Sequence, residues 1–222
     1  MAIRMSELLA DASQQLRFEP TPKRVRAYLD GVVAVDSTRA VLVWEPHWVV
    51  PAYAVPSRDL RIPPAPLGSS TRGRGARLDD SALEGYVLLE FDSFDLWQEE
   101  DQDIVAHPRD PYHRVDVRAS SRHVRVEFDG ELLAESDRPV LIFETGMPVR
   151  YYLPREDIRI DLIPCDTSTT CAYKGRAAYF SAEVGGRLLE NLAWTLPEPF
   201  PEGLGTEGRI AFFNDRVDVI TG

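Results

Sequence analysis

Short runs of alternating apolar and polar residues recur along this chain, roughly ten residues apart, as strands of a β-rich protein do. In the clearest, Val124, Val126 and Phe128 fall on one face and His123, Arg125 and Glu127 on the other. Asp129-Gly130 then supplies the pair of residues that a tight hairpin turn with positive φ requires, and Asp30-Gly31 does the same earlier in the chain. Val140 to Phe143 and Arg150 to Leu153 read as further strands, and Ile158, Ile160 and Leu162 alternate with Arg159 and Asp161. Ala178 to Val184 and Arg187 to Trp194 flank Gly185-Gly186, a further hairpin. Helix is confined to an amphipathic stretch near the start and one turn between Asp79 and Glu84. The expected core includes Val124, Val126, Phe128, Leu141 and Phe143.

The pattern repeats. Residues 24–45 (RVRAYLDGVVAVDSTRAVLVWE) align with 123–144 (HVRVEFDGELLAESDRPVLIFE), matching at Val25/Val124, Ser37/Ser136, Arg39/Arg138 and Glu45/Glu144. Val55 to Leu60 parallels Leu153 to Ile158, and the stretch from Gly85 parallels that from Gly208. A period of about 100 residues is that of a duplicated domain, not a solenoid. The halves differ between Ile62 and Gly85, where the first has Pro63-Pro64-Ala65-Pro66 and a Gly-, Ser- and Arg-rich stretch that reads as a flexible loop. The second has further strands there. The expected fold is mainly β: two tandem, duplicated small domains of coiled antiparallel sheets behind a short N-terminal helix. The divisions are a helical arm at 1–16, a degenerate first repeat at 17–100, a linker at 101–121 and a complete second repeat at 122–222.

Composition narrows the function classes. The net charge of −11 opposes a nucleic-acid binder, which needs a basic face. No apolar run is long enough for a membrane span, and the first residues lack a signal-peptide pattern. Two cysteines, Cys165 and Cys171, are too few for a disulfide framework and wrongly spaced for structural zinc. The expectation is a cytoplasmic protein with no nucleic-acid or membrane partner. The residues identify no cofactor and no oligomeric state.

Three clusters carry chemistry. Thr170-Cys171-Ala172-Tyr173-Lys174-Gly175 gathers a hydroxyl, a thiol, a phenol and an ammonium, with Cys171, Tyr173 and Lys174 as candidate catalytic groups. A nearby lysine favours the reactive thiolate; the plainer reading is a turn with a packed cysteine. Glu144 with Tyr151, Tyr152, Arg155, Asp157 and Thr170 would line a polar pocket, unless Glu144, matched by Glu45, makes a hydrogen bond that the fold needs in both repeats. His107, His113, Asp110 and Asp116 suit metal ligation, but a proline-braced connector explains them better, and no metal site is assigned.

These strings, in order, make the second half resemble the family known as domain of unknown function 427. The resemblance rests on Arg122 to Val126, Ser136 to Gly146, Arg150 to Asp157, Cys171 to Gly175, Gly185-Gly186 and Ala211 to Asp215. It extends partly over the first half, and the segment His107 to Asp116 is typical of tandem members. The resemblance implies coiled β-sheets akin to the β-tent group. The nucleotidyltransferase heading sometimes given to the family implies paired acids for magnesium, and no Gly-Ser closely followed by Asp-x-Asp occurs. The zinc-binding Cys-x-x-Cys pairs of β-tent proteins are missing too. Two functions stand: a small polar or anionic ligand site in the second repeat, in a binding protein or an enzyme, or a non-catalytic interaction module.

Overall fold

The computed structural model describes residues 2–222. Its strands divide into two units, one ending at Asp110 and one running Pro111–Gly222, each with its own apolar clusters. The first unit begins with helix α1 (Met5–Ala12), none of whose residues is buried. It continues with strands β1 (Arg17–Pro20), β2 (Val25–Leu29), β3 (Val32–Ser37), β4 (Val41–Trp44), β5 (Ala52–Pro56), β6 (Gly75–Arg77), β7 (Tyr86–Leu89), β8 (Leu96–Glu99) and β9 (Gln102–Ile104). The second contains β10 (Val115–Ala119), β11 (Val124–Phe128), β12 (Glu131–Ser136), β13 (Val140–Glu144), β14 (Arg150–Pro154), β15 (Ile163–Cys171), β16 (Gly175–Val184), β17 (Arg187–Thr195), β18 (Arg209–Phe212) and β19 (Asp218–Thr221). The expected turn between Asp79 and Glu84 is a short 3-10 helix, Ser81–Leu83, whose Asp80 carboxylate accepts from the Ala82 N–H.

The first unit has sheets ordered β1-β4-β5-β7-β6 and β3-β2-β8-β9; the second has β10-β13-β14-β18-β17-β16-β15 and β12-β11-β19. The pairings run in parallel between units. Val25 faces Ser37 as Val124 faces Ser136, and both hairpins shift register at one place, Ala27/Tyr28 and Val126/Glu127. The turn residues Asp30, Gly31, Asp129 and Gly130 all have positive φ, as the hairpin requires. Two matched positions have a structural task. Ser37 Oγ donates to Asp59 at 2.6 Å and Arg39 pairs with the same carboxylate; in the second unit Arg138 lies 3.4 Å from Asp157, which Ser136 also hydrogen-bonds.

Several expectations are corrected. Residues 101–121 are not plain linker: β9 lies in the first unit's sheet and β10 in the second's, with the division at Asp110. Ile158 to Leu162 is not a strand. It follows a 3-10 turn, makes a single bridge from Ile158 to Ala134, and its alternation serves to drop Ile158, Ile160 and Leu162 onto the core. Phe143 is 39% exposed, because it lies past the end of the β13–β14 ladder, whose last pair is Ile142 with Arg150. Phe128, at the hairpin end, is only half-buried, while Val124, Val126 and Leu141 are buried. The stretch read as a flexible loop is tied at its end, where Gly73 N–H donates to Ser93 O and Arg74 pairs with Glu90.

The second unit's large sheet must curl. Lys174, in the turn before β16, bonds Glu144 at the end of β13. Laid flat, β13 and β16 would be four strand spacings apart, about 19 Å. Only a curled sheet brings the two side chains together. The edge strands β10 and β15 do not pair with each other, so the sheet is curled without closing into a barrel.

Candidate functional site

The curl brings together residues remote in sequence. Glu144, at the end of β13, reaches the β15–β16 turn, where Lys174 Nζ bonds its Oε2. His113, just before β10, lies with Nε2 3.0 Å from the other carboxylate oxygen. A carboxylate can only accept, so this nitrogen carries the proton. The His113 ring stacks on Tyr173, centroids 4.5 Å apart. Glu144's side chain is only 9% exposed. Burial pushes its carboxyl upward, but the hydrogen bonds and charges of Lys174 and His113 outweigh that and hold it below the usual carboxylate range.

Tyr152 lies deeper, 1% exposed, with its oxygen accepting from Trp194 Nε1 at 2.9 Å. Burial raises its phenol strongly, and the negative charge of Glu144 adds to this, while the Trp194 bond and Arg150 pull the other way. That puts Glu144, Cys171 and Arg150 within electrostatic reach of one hydroxyl. Arg150 is half-buried, its guanidinium carbon 5.6 Å from the Trp194 ring centre and 5.9 Å from that of Phe213. Its Nη1 donates to Asn214 Oδ1 at 3.1 Å, and Asn214 is oriented in turn by donating to Val149 O.

The turn carrying Tyr173 and Lys174 is pinned. Gly175 has φ +94°, and a Cβ there would come within 3.1 Å of Glu198 O and 3.2 Å of Phe200 N. Phe200 N–H donates to Lys174 O. Only glycine satisfies both the backbone angle and the close approach.

Of the residues singled out from sequence, Glu144, Tyr152, Cys171, Tyr173 and Lys174 converge, and Lys174 is engaged by Glu144. Tyr151 and Arg155 lie on the opposite face of the sheet. Alternation turns Tyr151 to the other cluster, and Arg155 stacks over Phe180 of that cluster. Thr170 is exposed on the edge strand β15. Glu45, the match of Glu144, is exposed and lies outside β4, so the two carboxylates have different surroundings. His107 Nδ1 contacts Pro108 O at 2.7 Å, and Asp116 pairs with Arg114 and Arg118. Among the described residues no group of three or more His, Cys, Asp or Glu is arranged to hold a metal ion. Sequence reasoning missed Arg150, Trp194 and Asn214 as site residues, and weighed His113 as a metal ligand or, in preference, as part of a connector. Arg150 reads as an ordinary strand residue, and its ring neighbours come from other strands.

Among the described residues no helix is long and apolar enough to cross a membrane. No curated protein matches the chain. The model of a family described as a domain of unknown function, DUF427, matches residues 116–222, from the first sheet strand of the second unit to the end of the chain, and the second unit belongs to that family.

Proposed function

We propose that the second unit binds a small polar ligand bearing a carboxylate or carbonyl group, on the inner side of its curled sheet. The carrying observation is Arg150. It stacks on two aromatic rings and bonds a neutral amide, and among the described residues no carboxylate pairs with it, in a chain with net charge −11. A guanidinium so placed suits planar, bidentate recognition of an anion. Tyr152 supports the reading: its oxygen already accepts from Trp194, which leaves its O–H to donate. Lys174, by contrast, is neutralised by Glu144, so Cys171 serves here as a wall beside Tyr152 and not as a lysine-activated nucleophile. Glu144 and His113 form the acid–base pair that an enzymatic version of this site would use. Among the described residues the first unit has no such cluster: by strand register Gln14 stands for His113 and Ala54 for Tyr152. The matching registers support reading the two units as copies of one domain, of which only the second kept this site.

Thermal unfolding of the full chain with pyruvate, oxalate or acetoacetate tests the reading. A ligand of this site raises the melting temperature of the wild type and not of Arg150→Gln, since only binding to the folded state shifts the transition. If none of the three stabilises the wild type, or the shift survives in Arg150→Gln, the proposal fails.

A further inference from the structure

The first unit holds a cavity of its own, in the region where the two units differ most. Its sheet ends at β6, paired with β7 over only three residues, whereas the second unit continues through β17, β16 and β15. The chain between β5 and β6 folds back beside this edge and leaves a cavity of about 610 Å³. Pro63, Pro64, Pro66, Leu67 and Val87 form apolar walls, with Ala76 of β6 beside them. The size lies within the range of small-molecule sites, roughly 300–1,000 Å³.

The edge is closed to a further strand near the cavity. Ala65 N–H donates to Gly73 O, and Ala65 O accepts from Gly75 N–H. The flanking prolines have no N–H to offer. A peptide therefore has no ladder to extend, and the occupant is a small molecule.

Its charge follows from two arginines on the lining. Arg61 lies 3.6 Å from Asp36, a carboxylate that Arg24 already holds at 2.8 Å. Arg77 is exposed, and among the described residues no carboxylate pairs with it. In a chain with 36 acidic and 25 basic residues, an arginine without an acid beside an apolar cavity is a point of charge complementarity for an anion. We propose that this cavity binds a small amphipathic carboxylic acid, with its apolar body against the proline walls and its carboxylate on Arg77.

Calorimetric titration of the full chain with octanoate, octanol and octyltrimethylammonium tests this. Octanoate should bind about tenfold or more tighter than octanol, the scale of one charge-assisted hydrogen bond, and the cation weakest. Arg77→Gln should bring octanoate to the level of octanol, and Ala76→Trp should abolish both. Arg150→Gln, in the second unit, should leave octanoate binding unchanged, so this site and the second unit's site stand or fall separately. No octanoate binding, equal affinity for octanoate and octanol, an unaltered Arg77→Gln variant, or loss of binding in Arg150→Gln would each overturn the proposal.

Discussion

Two side-chain groupings, around Glu144 and around His123, give opposite responses to pH. Glu144 is nearly buried; the Lys174 ammonium pairs with its charge and the His113 ring donates a hydrogen bond to it. Removing Lys174 strands part of that charge, so Lys174→Met should cost about 2–4 kcal/mol in urea denaturation at pH 7, toward the value for breaking a buried pair. The pH sign follows from the lowered carboxyl. The stabilisation from Glu144 is present above the usual unfolded carboxylate range, about pH 4.3, and is lost as pH falls through the lower folded value. The difference between wild type and Lys174→Met should therefore shrink below that range; a constant difference from pH 7 to pH 3.5 contradicts it. His123 has the opposite sign. Its hydrogen bond to Asp137 leads in raising its pKa, with Glu135 nearby. Its contribution is full below about pH 6.5 and fades as pH rises through the raised value. Between pH 6 and pH 8 the wild type should lose stability relative to His123→Asn, and parallel pH profiles would refute that.

At the scale of elements, the β15–β16 turn matters most, because it presents Tyr173 and Lys174 to a distant strand. Gly175→Ala forces a side chain into a left-handed backbone angle and against Glu198 O and Phe200 N. It should cost about 1–3 kcal/mol, the scale of local backbone strain. It should also move the His113 ring resonances in NMR, since His113 stacks on Tyr173. A variant with wild-type stability and unchanged His113 resonances would mean that the turn is not held as described. The hairpins at Asp30-Gly31 and Asp129-Gly130 were legible directly, since only a few residues accept positive φ at both turn positions. The segment Ile158 to Leu162 was misread because extended chain alternates its side chains whether or not another strand pairs with it.

At the scale of the molecule, each unit has its own clusters of buried side chains. In the first, Trp97 is enclosed by Tyr53, Phe91 and Phe94; in the second, Leu133, Leu153, Leu192 and Ile210 are fully buried. A fragment of residues 111–222 should therefore unfold cooperatively on its own in urea. A gradual, non-cooperative loss of circular dichroism from that fragment would show that its core is incomplete without the first unit.

Local chemistry alone determined the β class, the hairpin turns, the alternating faces of β11 and the matched Ser37/Ser136 and Arg39/Arg138, because each depends on residues close in sequence or on a repeated string. It also marked Glu144, Tyr152, Tyr173 and Lys174. It could not say that His113 belongs with Glu144, that Tyr151 and Arg155 face away, or that Arg150 lies on Trp194 and Phe213. Those facts depend on how far the seven-stranded sheet curls to bring the β15–β16 turn to the end of β13, which follows from side chains packed along its whole inner face. Curl is a property of that summed packing, and no single strand encodes it.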